Sequence, residues 1–160
     1  MFDDAALALE EIEPEDKTRT EVLGARIALY ITAKKWDIAA AVASHLVKVE
    51  PQNEAWWINL AYSFRRSEGI EEARSNSTEG ASHTPKTALI EFNLACYASV
   101  TGRSEEAKRR LRKAIDSDKS IRILALDDED LRPLGIGSAV WSNVSRPRGS
   151  DLFLSARLKA

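Results

Sequence analysis

The side chains of this sequence that could serve as nucleophile, base or metal ligand are few and scattered. There are two histidines, His45 and His83, and a single cysteine, Cys96. A thiol nucleophile needs an adjacent base or cation to favour the thiolate. No sequence neighbour of Cys96 supplies one, and an isolated cysteine commonly behaves as a small buried hydrophobe. One Cys and two His at these spacings make no zinc motif, and no glycine-rich phosphate loop is present. The acidic pairs Asp3-Asp4 and Glu71-Glu72 read as charges at helix N-termini, not as a general acid facing a general base. No catalytic residue, metal ligand or cofactor site is therefore assigned, and the chain is read as a non-enzyme.

The basic run Lys108-Arg109-Arg110-Leu111-Arg112-Lys113 is the best candidate for nucleic-acid chemistry. Two features argue against it. Glu105 and Glu106 precede Arg109 and Arg110 by four residues, the favourable order for ion pairs on a solvated helix face. No aromatic residues interleave to stack on bases. The formal net charge of −2 supplies no global field for a polyanion. No nucleic-acid partner is expected. The acidic start MFDDAALALEEIEPED is no signal peptide, and no apolar run reaches the roughly 20 residues of a membrane span. With one cysteine there is no intrachain disulfide framework. A cytoplasmic setting without membrane attachment is the expectation.

The elements that position these residues follow a period. An offset of 34 carries Ala39 to Ala73 and Ala107, Leu60 to Leu94, Ala61 to Ala95, Asn59 to Asn93, Tyr30 to Phe64 and Pro51 to Pro85. Three units follow, about 20–53, 54–87 and 88–121, each of two amphipathic helices. In the middle unit Trp57, Leu60, Ala61 and Phe64 recur at i, i+3, i+4 and i+7, one buried stripe. Turns fall at Lys34-Lys35, Ser67-Glu68-Gly69 and Thr101-Gly102. Proline ends a unit because the residue before it resists helical geometry.

This pattern resembles the tetratricopeptide repeat, whose signature W-x2-L-G-x2-Y…A-x3-F…P recurs every 34 residues. The second unit carries Trp57-x2-Leu60-Ala61-x2-Phe64, Ala73 and Pro85; the third carries Leu94-Ala95, Gly102, Ala107 and Ala114. The resemblance implies an all-α superhelix, or solenoid, of about three helical hairpins. A partial N-terminal helix around Leu9 precedes them, and a capping element at 120–134 follows, so that 1–134 form the repeat domain. Three departures stand out. Arg26 replaces the leucine of the other units, Glu91 replaces Trp57, and Ser75-Asn76-Ser77-Thr78 is a poor helical stretch expected to be the loosest. Residues 135–160, basic and without a sustained period, are read as an irregular or flexible tail, with docking through Leu152, Phe153, Leu154 and Leu158 as the alternative.

If the Trp57 stripe is internal, Ile58, Tyr62 and Arg65 fall on another face of the helix, which Leu89, Phe92 and Cys96 continue one unit later. In the resembled family this face lines a concave groove that receives a peptide or partner protein, and Asn59 and Asn93 match a family asparagine. The expected partner surface is Ile58, Asn59, Tyr62, Arg65, Arg66, Leu89, Phe92, Asn93 and Cys96, since aromatic and Arg side chains dominate interface energetics. Gly24 and Ala28 stand where the chaperone-tail-binding subtype has its first Lys and Asn, which argues against that subtype. The function expected is a protein-binding adaptor or scaffold. The alternative is a structural subunit that assembles into a homo-oligomer.

Overall fold

The computed structural model describes residues 2–85 and 87–135, with no account of the side chains of residues 2–5. The tail expected at 136–160 lies outside the described residues. The described elements are helical: α1 Phe2–Glu10, α2 Thr20–Thr32, α3 Trp36–Val49, α4 Glu54–Ser67, α5 Ile70–His83, α6 Ala88–Val100, α7 Ser104–Ser117, α8 Ile121–Asp127, and a 3₁₀ helix Glu129–Leu134. The chain divides into two compact units, Met1–Asn76 and Ser77–Ala160, with the boundary inside α5. Stacked repeats contact mainly their neighbours in sequence, so such a division is natural to them.

In the first unit α2 packs on α3 and α3 on α4. In the second α6 packs on α7. Ala39, Ala73 and Ala107 are each fully buried. A methyl group at these positions lets helix axes approach to roughly 8–10 Å. Trp57, Leu60 and Ala61 are buried in the first unit, and Leu94, Ala95 and Ala98 in the second. The indole Nε1 of Trp57 donates to the Pro51 carbonyl at 2.8 Å. That bond ties the proline turn to the helix that follows it. The doubtful stretch in α5 is continuous helix, and Ser77 within it is buried.

Local chemistry sets the helix ends. Asn53 caps α4, its side chain accepting from the Ala55 amide at 3.1 Å. The turn after α6 places Gly102 at φ +77, and one repeat pair earlier the corresponding Lys34 adopts φ +58. Arg26 has a structural reason for replacing leucine. Its guanidinium donates to the Leu9 carbonyl at 3.2 Å and to Glu10 at 3.4 Å, fastening the last turn of α1.

Candidate functional site

In the first unit the C-terminal half of α4 meets the start of α3. Trp36 and Tyr62 pack edge to face with centroids 5.9 Å apart, a favoured aromatic geometry. The Arg66 guanidinium carbon lies 5.0 Å from the Tyr62 centroid and 5.7 Å from that of Trp36, and Nη2 is 3.5 Å from the Tyr62 hydroxyl. Both distances fall within cation–π range. Arg66 is exposed, and no carboxylate among the described residues pairs with it. The result is a guanidinium held in place by two rings with donor N–H groups open to water. It also sits in the last turn of α4, where positive charge is favoured.

Trp36 is the member of this cluster that the repeat pattern missed. Nothing in a 34-residue register brings it to Tyr62. The i, i+4 spacing of Tyr62 and Arg66 was the available signal. Asn59 and Arg65 flank the cluster on α4, both half-buried, whereas Ile58 is buried.

In the second unit the expected row on α6 is covered. Phe92 and Cys96, each 2% exposed, lie in one core cluster with Leu111 and Ile115 of α7, Ile121 and Ala125 of α8, and Leu131 of the 3₁₀ helix. Leu89 and Leu134 pack against that cluster. Asn93 is buried too. The expected site residues therefore divide by exposure: Asn59, Tyr62, Arg65, Arg66 and Leu89 reach solvent, and Ile58, Phe92, Asn93 and Cys96 lie inside their own units.

Part of the basic run is spent internally. Arg110 and Lys113 of α7 both bond the carboxylate of Glu91, the former at 3.0 Å, and Glu91 is only 3% exposed. Burial pushes this carboxyl up, but the hydrogen bonds and charges of Lys113 and Arg110 outweigh burial and hold it below the usual glutamate value. Lys108, not Arg109, takes Glu105, at 2.9 Å. Arg110 also lies 3.8 Å from Glu106. Elsewhere, His45 is exposed on α3 and His83 ends α5. No group of three or more His, Cys, Asp or Glu side chains among the described residues could hold a metal ion. No described helix is long and apolar enough to cross a membrane.

Solved structures are similar to this chain in fold. A chain of the structure described as MamA MSR-1 C2 is 19% identical, with a TM-score of 0.61, the match covering 74% of this chain and 68% of that one. A chain of the CopN-Scc3 complex is 21% identical, with a TM-score of 0.54, over 72% of this chain and 76% of that one. No protein-family profile matches the sequence, and no curated protein matches it significantly. At these identities the likeness speaks for fold alone. The class it defines, together with the 34-residue register, is a helical solenoid of tetratricopeptide-like hairpins.

Proposed function

We propose that this protein is a scaffold that captures a partner protein through the Trp36, Asn59, Tyr62, Arg65 and Arg66 surface, with no catalytic step. The observation that carries the reading is Arg66. An exposed guanidinium already immobilised on two rings loses little side-chain freedom when it meets a carboxylate, so its hydrogen bonds come at a smaller entropic cost than those of a free arginine. Tyr62 and Trp36 supply the apolar area beside it, and Asn59 offers an amide for backbone pairing. The fold supports the reading, because solenoid surfaces commonly serve binding, and one similar structure is a complex of two proteins.

The test is affinity capture from the native lysate with the unaltered chain, Tyr62→Ala and Arg66→Ala in parallel. A partner held by the unaltered chain and lost with both variants, while their thermal midpoints stay unchanged, supports the surface. Equal capture by all three refutes it. A second reading, self-assembly, rests on α3, where Ile38 and Val49 are 45% and 53% exposed at a spacing of three helical turns. Sedimentation over a concentration series separates the two: growth in mass without any ligand favours assembly.

A further inference from the structure

Leu23, Ile38, Val42, His45 and Val49 hold, in the first repeat, the positions that Glu91, Glu106, Arg110, Lys113 and Ser117 hold two 34-residue periods later. In the third repeat those charged side chains satisfy one another: Arg110 and Lys113 bond Glu91, and Glu106 lies 3.8 Å from Arg110. The helix α5 is polar at the same places, with Glu72, Asn76, Glu79 and His83. The first repeat is largely apolar there instead. On α3 the spacing of Ile38, Val42, His45 and Val49 keeps them within about 60° of one another around the helix. Ile38, His45 and Val49 are exposed, and Val42 is half-buried. Two repeats close their hairpins with polar residues at these positions, so packing within the unit does not call for an apolar stripe. Such a stripe marks a surface that something covers.

The charges beside it indicate what covers it. Asp37 and Lys48 stand at opposite ends of α3 on one flank of the stripe, within about 20° of each other. Both are exposed, and neither has an ion-pair partner among the described residues. Two copies of α3 packed antiparallel about a two-fold axis bring these flanks together. Asp37 then meets the partner's Lys48, Ile38 the partner's Val49, and Val42 the partner's His45. A parallel pair puts the flanks on opposite sides and leaves the charges unmet. A two-fold contact must complement itself, and this face does so in charge and in apolar content. We infer that the Ile38–Val42–His45–Val49 face of α3 docks antiparallel on the same face of a second copy, with Asp37–Lys48 pairs closing one side. This rests on the self-assembly reading and supplies its geometry. Trp36 lies about 160° away around α3, so the pairing leaves the Trp36–Arg66 cluster out of the contact.

The stripe is only about 16 Å long, and small interfaces associate weakly. Sedimentation of the full-length chain over a concentration series reaching about 500 µM reads the pairing, expected at about 10–100 µM and ending at two chains of 17.8 kDa. Ile38→Asp should weaken it at least about hundredfold, and Val49→Lys serves the same comparison should the first variant fail to fold. Asp37→Lys and Lys48→Glu should each weaken it about tenfold. The chain carrying both reversals should recover the unaltered affinity, with helical circular dichroism retained in all three. Growth in mass that survives Ile38→Asp or runs past two chains, or a double reversal that pairs no better than either single one, overturns this inference and leaves self-assembly standing. A chain that stays monomeric throughout overturns both, the outcome expected if another protein covers the stripe. The Arg66→Ala protein should pair as the unaltered chain does.

Discussion

Glu91 on α6 and Arg110 on α7 are joined at 3.0 Å in the interior of the second unit, at the position where the preceding repeat places Trp57. A carboxylate there has lost nearly all its water, and two cations from the next helix replace it. The side chain of Lys113 is 56% exposed and that of Arg110 25%. The pair is thus asymmetric: the acid is buried and the bases reach solvent. Removing one partner of a buried pair costs about 3–5 kcal/mol, chiefly from the group left behind. Here the cations left behind can rehydrate, so Glu91→Gln is expected to cost about 2–3 kcal/mol, less than that full effect. Lys113→Ala should cost less than about 1 kcal/mol, since Arg110 still holds the acid. Urea unfolding of both proteins checks the order.

The same carboxyl predicts a pH dependence. Its folded value lies below the usual glutamate value, so the unfolded state binds the proton more tightly. The stabilisation is complete above the unfolded value of about 4.3 and is lost as pH falls through the lower folded value. Unfolding free energy of the unaltered chain should therefore fall more steeply than that of Glu91→Gln between about pH 5 and pH 3. Parallel curves would show that Glu91 carries none of the acid sensitivity.

Lys34 and Gly102 occupy the same repeat position and both have positive φ. A side chain at this geometry meets a steric cost of about 1–2 kcal/mol that glycine avoids. Glycine in turn leaves the unfolded chain freer, which takes back about 0.5–1 kcal/mol. Lys34→Gly is expected to stabilise by up to about 1 kcal/mol and Gly102→Ala to destabilise by a similar amount, both from denaturant midpoints at constant slope. A destabilised Lys34→Gly would mean that the Lys34 side chain supports the turn by contacts its exposed position does not suggest.

Much of this architecture is legible in the sequence, because the alanine and leucine register is a packing constraint that repeats. Ala39, Ala73 and Ala107 share full burial because each sits where its helix must approach a neighbour closely. Departures from the register told less. Glu91 and Arg26 announce themselves as misfits, but their partners, Arg110 with Lys113 and Leu9 with Glu10, come from other helices and lie outside any periodic comparison. The Trp36–Tyr62 contact is missed for the same reason. The row Phe92–Cys96 lies in the core of the second unit, and phase alone cannot say that a later segment covers it. Leu131 and Leu134 fall in the last turn of the capping element expected at 120–134, without a direction for the chain to take.

Gly24 owes its identity to Trp56. A Cβ built on Gly24 would stand 2.8 Å from the indole Cη2, and the ring cannot swing freely because its Nε1 donates to Glu50 at 2.7 Å. Gly24→Ala gains about 1 kcal/mol in helix propensity and loses about 1–3 kcal/mol to overpacking. The net expectation is destabilisation of about 1 kcal/mol. Tryptophan fluorescence should change as the ring shifts. In a double-mutant cycle with Trp56→Phe the alanine should cost less than it does alone, the signature of direct contact. Additive costs would separate the two residues. The hydrogen bonds from Trp56 and Asn53 also hold the Glu50 carboxyl below the ordinary range, so Trp56→Phe should raise the Glu50 pKa in an NMR titration.

Arg26→Leu restores the repeat consensus and tests what the departure achieves. The leucine would add apolar surface like that of Leu60 and Leu94, while the Leu9 carbonyl and Glu10 would lose the guanidinium. Glu10 keeps Lys17 at 3.4 Å, so no charge is stranded in the interior. Global stability should therefore move by no more than about 0.5 kcal/mol. The effect should be local instead: the Leu9 carbonyl is among the last four of α1 and has no intrahelical donor, so without Arg26 the helix end frays. Amide exchange in α1 is expected to quicken about tenfold while α2, α3 and α4 keep their protection. Unchanged exchange in α1 would mean that the packing of Leu9 alone holds it, and that the arginine is a tolerated substitution with no anchoring role.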